Sequence, residues 1–530
     1  MDSRENWGAS VTRRIASAGL CLLLSLASSS STMPAQAAQT GGNPFTPSAA
    51  DRLYLGRLGE AMVLSRAVAG KIWPGWGLDK TPILLYESGR VAYLANHPAP
   101  PSDFFRLEAK LPLLGAVYAR LGRDPRFTAN TSIELGGIPT ACIGYSTGPS
   151  DLEAPSLRFV ALVFHEAFHA YQTKAGKTAK GAVEAMLMRY PELNAENLAL
   201  AQLEQMILYQ LVRFEDAPDP ARVKEFLAVR QARSKTLGPE FIRADRGIEY
   251  QEGVPTFLEV RLLEEARKSS ATLPGLGAED PYALGFNSTP ELKYGDYIGR
   301  LLKFSSDAGT TRSRAYGTGM ALALVLDRLG LDWKVPALTT DKYLDEILAE
   351  AIPLAPNAAV SALASVKKEF RFEETLRLVQ EKTSRLAQER KLAGETFLRQ
   401  EGIQVTLRFP EGPVELRAFD PMNIQRIDST RAIHKRMLRV ASGESWFSAS
   451  NVPVMVSLGE GPFDIRGVTF FLAREGLEID ADFAPVELSP GPHEFRSSLK
   501  IGADGIALQA TAGSFTVSDD GKRVDIVLKR

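Results

Sequence analysis

The stretch Val160-Ala161-Leu162-Val163-Phe164-His165-Glu166-Ala167-Phe168-His169-Ala170-Tyr171-Gln172 decides how the rest of the 530-residue chain is read. Its apolar patterning predicts a helix over 157–172. Residues four apart lie on one helix face about one turn from each other, so His165 and His169 can share one tetrahedral Zn²⁺. Glu166, beside the first histidine, can reach the remaining, water-occupied position as a base. With only five histidines in the whole chain, this spacing is rare by chance.

A catalytic zinc site needs a third protein ligand as well as an open position. No Gly-x-x-His follows His169, which excludes a third histidine of that pattern and leaves a carboxylate. The best candidate is Glu252, in Tyr250-Gln251-Glu252-Gly253-Val254-Pro255-Thr256-Phe257-Leu258-Glu259, at the start of a predicted helix and 83 residues beyond His169. Glu192, Glu196, Glu204 and Glu249 compete with it, and position alone puts Glu252 only slightly ahead of them. Glu259, seven residues after Glu252, shares its helical face and reads either as a partner of a zinc ligand or as an exposed charge.

The set His165-Glu166-Ala167-Phe168-His169, Glu252-Gly253-Val254-Pro255-Thr256-Phe257-Leu258-Glu259 and Tyr316-Gly317-Thr318-Gly319 resembles the gluzincin metallopeptidases, particularly those of aminopeptidase N type. The resemblance covers roughly 157–333. It implies a zincin-like fold there, Zn²⁺ held by His165, His169 and Glu252, Glu166 as general base, and Tyr316 as the oxyanion-stabilising tyrosine, 64 residues after Glu252. By its own local sequence Tyr316 reads as a partly buried aromatic at a helix start. The implied activity is a zinc-dependent peptidase acting on a peptide or protein substrate. The long insertion between His169 and Glu252 departs from that pattern, as does Pro255 where alanine is usual; a proline there fits only the first turn of a helix. No Gly-x-Met-Glu-Asn segment precedes the zinc helix, so the glutamate that holds a substrate's free amine is absent and the choice between exo- and endopeptidase stays open. Two other readings remain: a binding protein that keeps the scaffold and works through its C-terminal domain, and a zinc hydrolase of a non-peptide amide or ester.

Outward from this segment, the chain reads as an α+β multidomain protein. Residues 1–37 have the order of a signal peptide, with Arg13 and Arg14, an apolar run over 15–27 and Ala35-Gln36-Ala37, which predicts a secreted or periplasmic protein. A linker spans 38–48. A mixed α/β subdomain follows over 49–156, with a helix over 49–70, a hairpin of 83–87 and 90–94 around Ser88-Gly89, and strand-like material over 131–145 broken by Gly136-Gly137 and Pro139. The mainly helical, zincin-like region spans 157–401, with helices also over 195–213, 254–267 and 319–329 and a solvated, charge-laced helix over 366–400. Over 404–530 the period changes to two, with short strands at 405–409, 414–417, 468–472, 506–510 and 524–528 that predict a β-sandwich.

With 62 Lys+Arg against 63 Asp+Glu the chain lacks the basic excess of a nucleic-acid binder. No apolar run reaches the roughly 20 residues of a membrane span, and oligomeric state is not legible. If the leader is removed with Cys21, Cys142 is the only cysteine and reads as a buried apolar residue. Arg312 and Arg314 read as a solvated basic loop, Trp73 and Trp76 as packing, and His97, His434 and His493 as surface or hydrogen-bonded histidines.

Overall fold

The computed structural model describes residues 45–529 apart from 110, 112, 125, 128, 176–185, 187–189, 215, 269–293, 303–307, 411, 413, 421–422, 460–463, 474–477 and 487. The expected signal peptide and most of the expected linker lie outside the described residues. Helix α1 (Ala49–Ile72) starts at a capping box in which Ser48 and Asp51 each accept the other's backbone N–H. Strands β1 (Ile83–Glu87) and β2 (Val91–Ala95) form a hairpin whose turn has Gly89 at φ +80°. With β3 (Phe105–Arg106), β4 (Val117–Leu121), β5 (Thr131–Leu135) and β6 (Ile138–Gly144) they make a sheet of order β3-β4-β2-β1-β6-β5, in which only the β1–β6 pair is parallel. Gly136 and Gly137, both at positive φ, turn β5 into β6. Pro139 does not break the strand. It pairs with Glu134 on β5, while β1 joins the other side of β6 only from Ala141 onward, so no ladder hydrogen bond asks for the missing N–H.

Both faces of the sheet are buried. Leu84, Tyr86, Ala92, Leu94 and Cys142 pack with Phe104 and Phe127 on one side. On the other, Ile83, Leu85, Tyr93, Ala141 and Ile143 meet α2 (Ser156–Lys174) through Leu157, Val160, Val163, Phe164, Ala167 and Phe168. The same apolar core continues through α3 (Ala195–Val212) and α4 (Pro220–Leu237), so the sheet and the helices that follow it share one interior. Trp73 and Trp76 lie in it, edge-on to Phe168 and Phe164.

One helical run then changes pitch in the middle. Helix α5 (Pro239–Ile248) passes into a π-helical turn over Glu249–Gly253 and returns to α-helix in α6 (Val254–Lys268). Pro255 is the second residue of α6 and has no N–H for the carbonyl four residues back, a defect that a wider turn just before it absorbs. Among the described residues α7 (Tyr294–Gly299) and the longer α8 (Ala308–Arg328) follow. Helix α8 begins earlier than the predicted 319, so Tyr316 sits well inside it rather than at its start, and Arg312 and Arg314 are helical rather than in a loop. The π turn crosses α8 at two glycines. A Cβ on Gly253 would lie 2.5 Å from Gly319 Cα, and one on Gly319 would lie 2.2 Å from the Glu249 carbonyl oxygen. Only glycine permits this approach.

The predicted helix over 366–400 is two helices, α9 (Pro356–Glu369) and α10 (Phe372–Leu398), separated at Arg371, whose φ is +50°. Nor is it merely solvated: Val379, Thr383, Arg390, Gly394 and Phe397 form a buried stripe among the charges, and Arg390 donates to Glu192 at 2.6 Å. Beyond it two sheets close on one apolar core in a sandwich arrangement. The first runs Gly491–Phe495, Gly513–Val517, Arg523–Leu528, Ile403–Arg408, Ile465–Leu472, Val454–Leu458, Arg431–His434 and Ile424–Arg426. The second runs Ala484–Pro485, Glu478–Ala481, Leu499–Ala503, Ile506–Ala510, Ser445–Ser450, Met437–Ser442 and Glu415–Phe419. Among the described residues no single helix is long and apolar enough to cross a membrane.

His434 is neither exposed nor hydrogen-bonded: it is buried beside Phe419 with no partner for either ring nitrogen, against the sequence reading. Burial holds its pKa down at about 4. The unfolded chain therefore binds the extra proton between about pH 6.5 and 4, and stability present above that window is lost as pH falls through it, by roughly 3 kcal/mol. Denaturant titrations across this window should show His434→Leu losing that share of the pH dependence; an unchanged slope would contradict the assignment. Separately, Gly319→Ala should lower stability by about 1–3 kcal/mol because backbone, not a flexible side chain, must move. Gly317→Ala, whose Cβ meets nothing nearer than 3.5 Å, should be neutral or stabilising in the same thermal melts.

Candidate metal centre

Helix α2 presents His165 and His169 one turn apart, with ring centroids 4.9 Å from each other. The π turn brings Glu252 to both: its Oε2 is 3.4 Å from each Nε2. The three ligand atoms lie within 4.8 Å of one another, and all three residues are buried. His165 Nε2, His169 Nε2, Glu252 Oε2 and both oxygens of Glu166 have no hydrogen-bond partner, although water does not reach them. An isolated buried polar atom costs about 1–3 kcal/mol, so a gathering of such atoms is unfavourable unless something binds there. Two imidazole nitrogens and a carboxylate oxygen suit a borderline-soft divalent cation. The group could hold a metal ion.

The other ends of these side chains are fixed. His165 Nδ1 is 2.6 Å from Glu259 Oε1, and Tyr297 donates to the other oxygen of Glu259 at 2.7 Å. His169 Nδ1 is 3.2 Å from Gln172 Oε1, whose amide nitrogen donates to the Tyr250 carbonyl at 3.1 Å. Both Nδ1 atoms thus face acceptors, which favours the tautomer with hydrogen on Nδ1, the one that frees an Nε2 lone pair for a cation. Glu252 Oε1 accepts from Arg312 at 2.6 Å. Tyr316 stacks on His165 with centroids 6.3 Å apart.

Charge follows this arrangement. Burial opposes ionisation of Glu252, but Arg312 and His169 hold it well below the usual carboxylate range. Burial raises Glu166, partly offset by the two imidazoles. Burial would lower His165, yet the Glu252 and Glu259 carboxylates outweigh it and push it up to about 10. Without a cation, His165 therefore holds a proton at neutral pH. Tyr316 is held well above its usual range by burial and by Glu252, which keeps its hydroxyl protonated.

The rival carboxylates are engaged elsewhere. Glu204 lies 2.9 Å from Arg230 and 3.0 Å from Arg233, and Glu249 accepts twice from Arg230 and once from Thr318. Glu192 meets Arg390, and Glu196 faces solvent. Arg314 binds the buried Asp245 and Tyr190, so neither it nor Arg312 is solvated. Gln172 falls on the histidine face, three residues after His169, and that spacing could have flagged it. Tyr297 has no comparable signal. His97 is buried against the Leu135 carbonyl at 2.9 Å, and His493 stacks on Phe515 at the sandwich surface.

Ligation requires neutral His165, so metal binding at pH 7 should release about one proton per ion and tighten as pH rises toward 10. Calorimetric zinc titrations of metal-free protein, repeated in buffers of different ionisation enthalpy, read this directly; zero release would contradict a protonated His165 in the metal-free protein. In the same titrations Glu252→Gln should weaken binding at least about tenfold, and Glu196→Gln should leave it unchanged.

No family model, no curated protein and no solved structure matches this chain.

Proposed function

We propose that the chain is a zinc-dependent peptidase in which His165, His169 and Glu252 hold the ion. The observation that carries the reading is the buried group of His165, His169 and Glu252, whose ligand atoms lie within 4.8 Å of one another, together with the buried carboxylate of Glu166, next to His165, which has no hydrogen-bond partner. A scaffold kept only for binding has no chemical use for an ionisable group there whose proton affinity burial has raised.

When bound, zinc lowers the pKa of a coordinated water to about 7 and polarises an acyl carbonyl. The chain's own residues supply the rest. Glu166 accepts the proton of the attacking water and delivers it to the leaving nitrogen, a role suited to a carboxylate with raised proton affinity. Tyr316, protonated and stacked beside His165, donates a hydrogen bond to the oxyanion. Glu259 and Gln172 keep the two imidazoles in the ligating tautomer. Secretion through the N-terminal leader belongs to the same reading, since an extracellular or periplasmic peptidase meets peptide substrates directly.

The test pairs activity with metal content. Zinc-loaded protein should cleave members of a mixed peptide library; Glu166→Gln should keep its zinc and lose about 10²–10⁴-fold in rate. Tyr316→Phe should lose about 10²–10³-fold, mainly in kcat. Zinc without peptide cleavage but with ester or amide hydrolysis would move the reading to a non-peptide hydrolase. Zinc with no hydrolysis at all would make the centre structural and end the proposal.

A further inference from the structure

We propose that Arg312 is a positioning residue that makes Glu252 a one-oxygen ligand, an inference that rests on the metal reading above. A carboxylate can chelate a cation through both oxygens or bind it through one. Here the two oxygens of Glu252 have different surroundings. Oε2 is 3.4 Å from both imidazole nitrogens and has no hydrogen-bond partner, while Oε1 accepts from Arg312 Nη2 at 2.6 Å. The guanidinium therefore claims the oxygen that chelation would need.

Arg312 is placed for this by the fold. It lies on α8 one helical turn before Tyr316, and its guanidinium carbon sits 6.0 Å from the Tyr316 ring centroid. The glycine crossing at Gly253 and Gly319 brings α8 close enough to the π turn for the side chain to reach Glu252. Arginine stays charged across the working pH range, so the hold does not lapse. A cation bonded to a metal ligand weakens that ligand's pull on the ion; what it supplies in exchange is a fixed carboxylate plane. One-oxygen ligation keeps the coordination number low and a position open for water, which a hydrolytic centre requires.

Cobalt(II) is the probe, because its visible absorption is intense in four-coordinate sites and weaker in five-coordinate ones. Wild type loaded with cobalt should show the intense, four-coordinate spectrum. Arg312→Met keeps the aliphatic length and removes the donor; it should shift to the weaker five-coordinate spectrum as the freed Oε1 joins Oε2 on the ion, whatever the change in affinity. Arg312→Lys should recover part of the intense, four-coordinate spectrum. Thermal melts of the metal-free variants establish that each is folded. An Arg312→Met spectrum identical to wild type overturns the inference, whether its affinity is unchanged or increased; increased affinity would assign the guanidinium a purely electrostatic effect. A five-coordinate wild type overturns it too. Absence of cobalt binding in wild type removes the metal reading itself and is distinguishable from these outcomes.

Discussion

Unpaired polar atoms in a dry interior are the constraint around which the molecule is organised. His165 Nε2, His169 Nε2 and Glu252 Oε2 come together in one place without a hydrogen bond, and both oxygens of the neighbouring Glu166 are likewise buried without one. Their outer ends, by contrast, are tied to Glu259, Gln172 and Arg312. Hydrogen bonds thus orient these groups from outside while their inner atoms have none, and the group could hold a metal ion.

Preorganisation depends on how the helices meet. Helix α2 carries the two imidazoles and Glu166, and the sheet fixes it through Val160, Val163, Phe164 and Ala167. Glu252 comes from a π turn that lies just before Pro255 and crosses α8 closely at Gly253 and Gly319. The same crossing delivers Arg312 and Tyr316. Behind it, Arg230, Arg233, Arg314, Glu204, Glu249 and Asp245 form a fully buried ionic network around Tyr190. Removing one member of such a network strands a buried charge, so the network resists rearrangement of the turn that bears Glu252. It also extends outward: Arg426 of the sandwich donates to the Tyr190 carbonyl, and Arg390 reaches Glu192.

What was legible in the sequence was whatever a local period encodes. The His165/His169 spacing, the helix that carries it, the β1–β2 hairpin and the change to period two after residue 403 each follow from neighbours within a few positions. Position put Glu252 only slightly ahead of Glu204 and Glu249, and resemblance widened the gap, because what separates them is which arginine each faces, a tertiary fact. Arg312 and Arg314 looked like a solvated loop since their partners, Glu252 and Asp245, lie on other helices. The π turn left no mark beyond Pro255, and the break at Arg371 has neither Gly nor Pro to announce it. His434 looked ordinary because burial without a partner is invisible to spacing.

The most direct test of a two-histidine, one-carboxylate cation site is zinc K-edge X-ray absorption on the purified full chain loaded with one equivalent of zinc. The account predicts two imidazole nitrogens at about 2.0–2.1 Å and oxygen at about 2.0–2.2 Å, with no sulfur. Zinc that fails to bind stoichiometrically, or a first shell without two imidazoles, would contradict it.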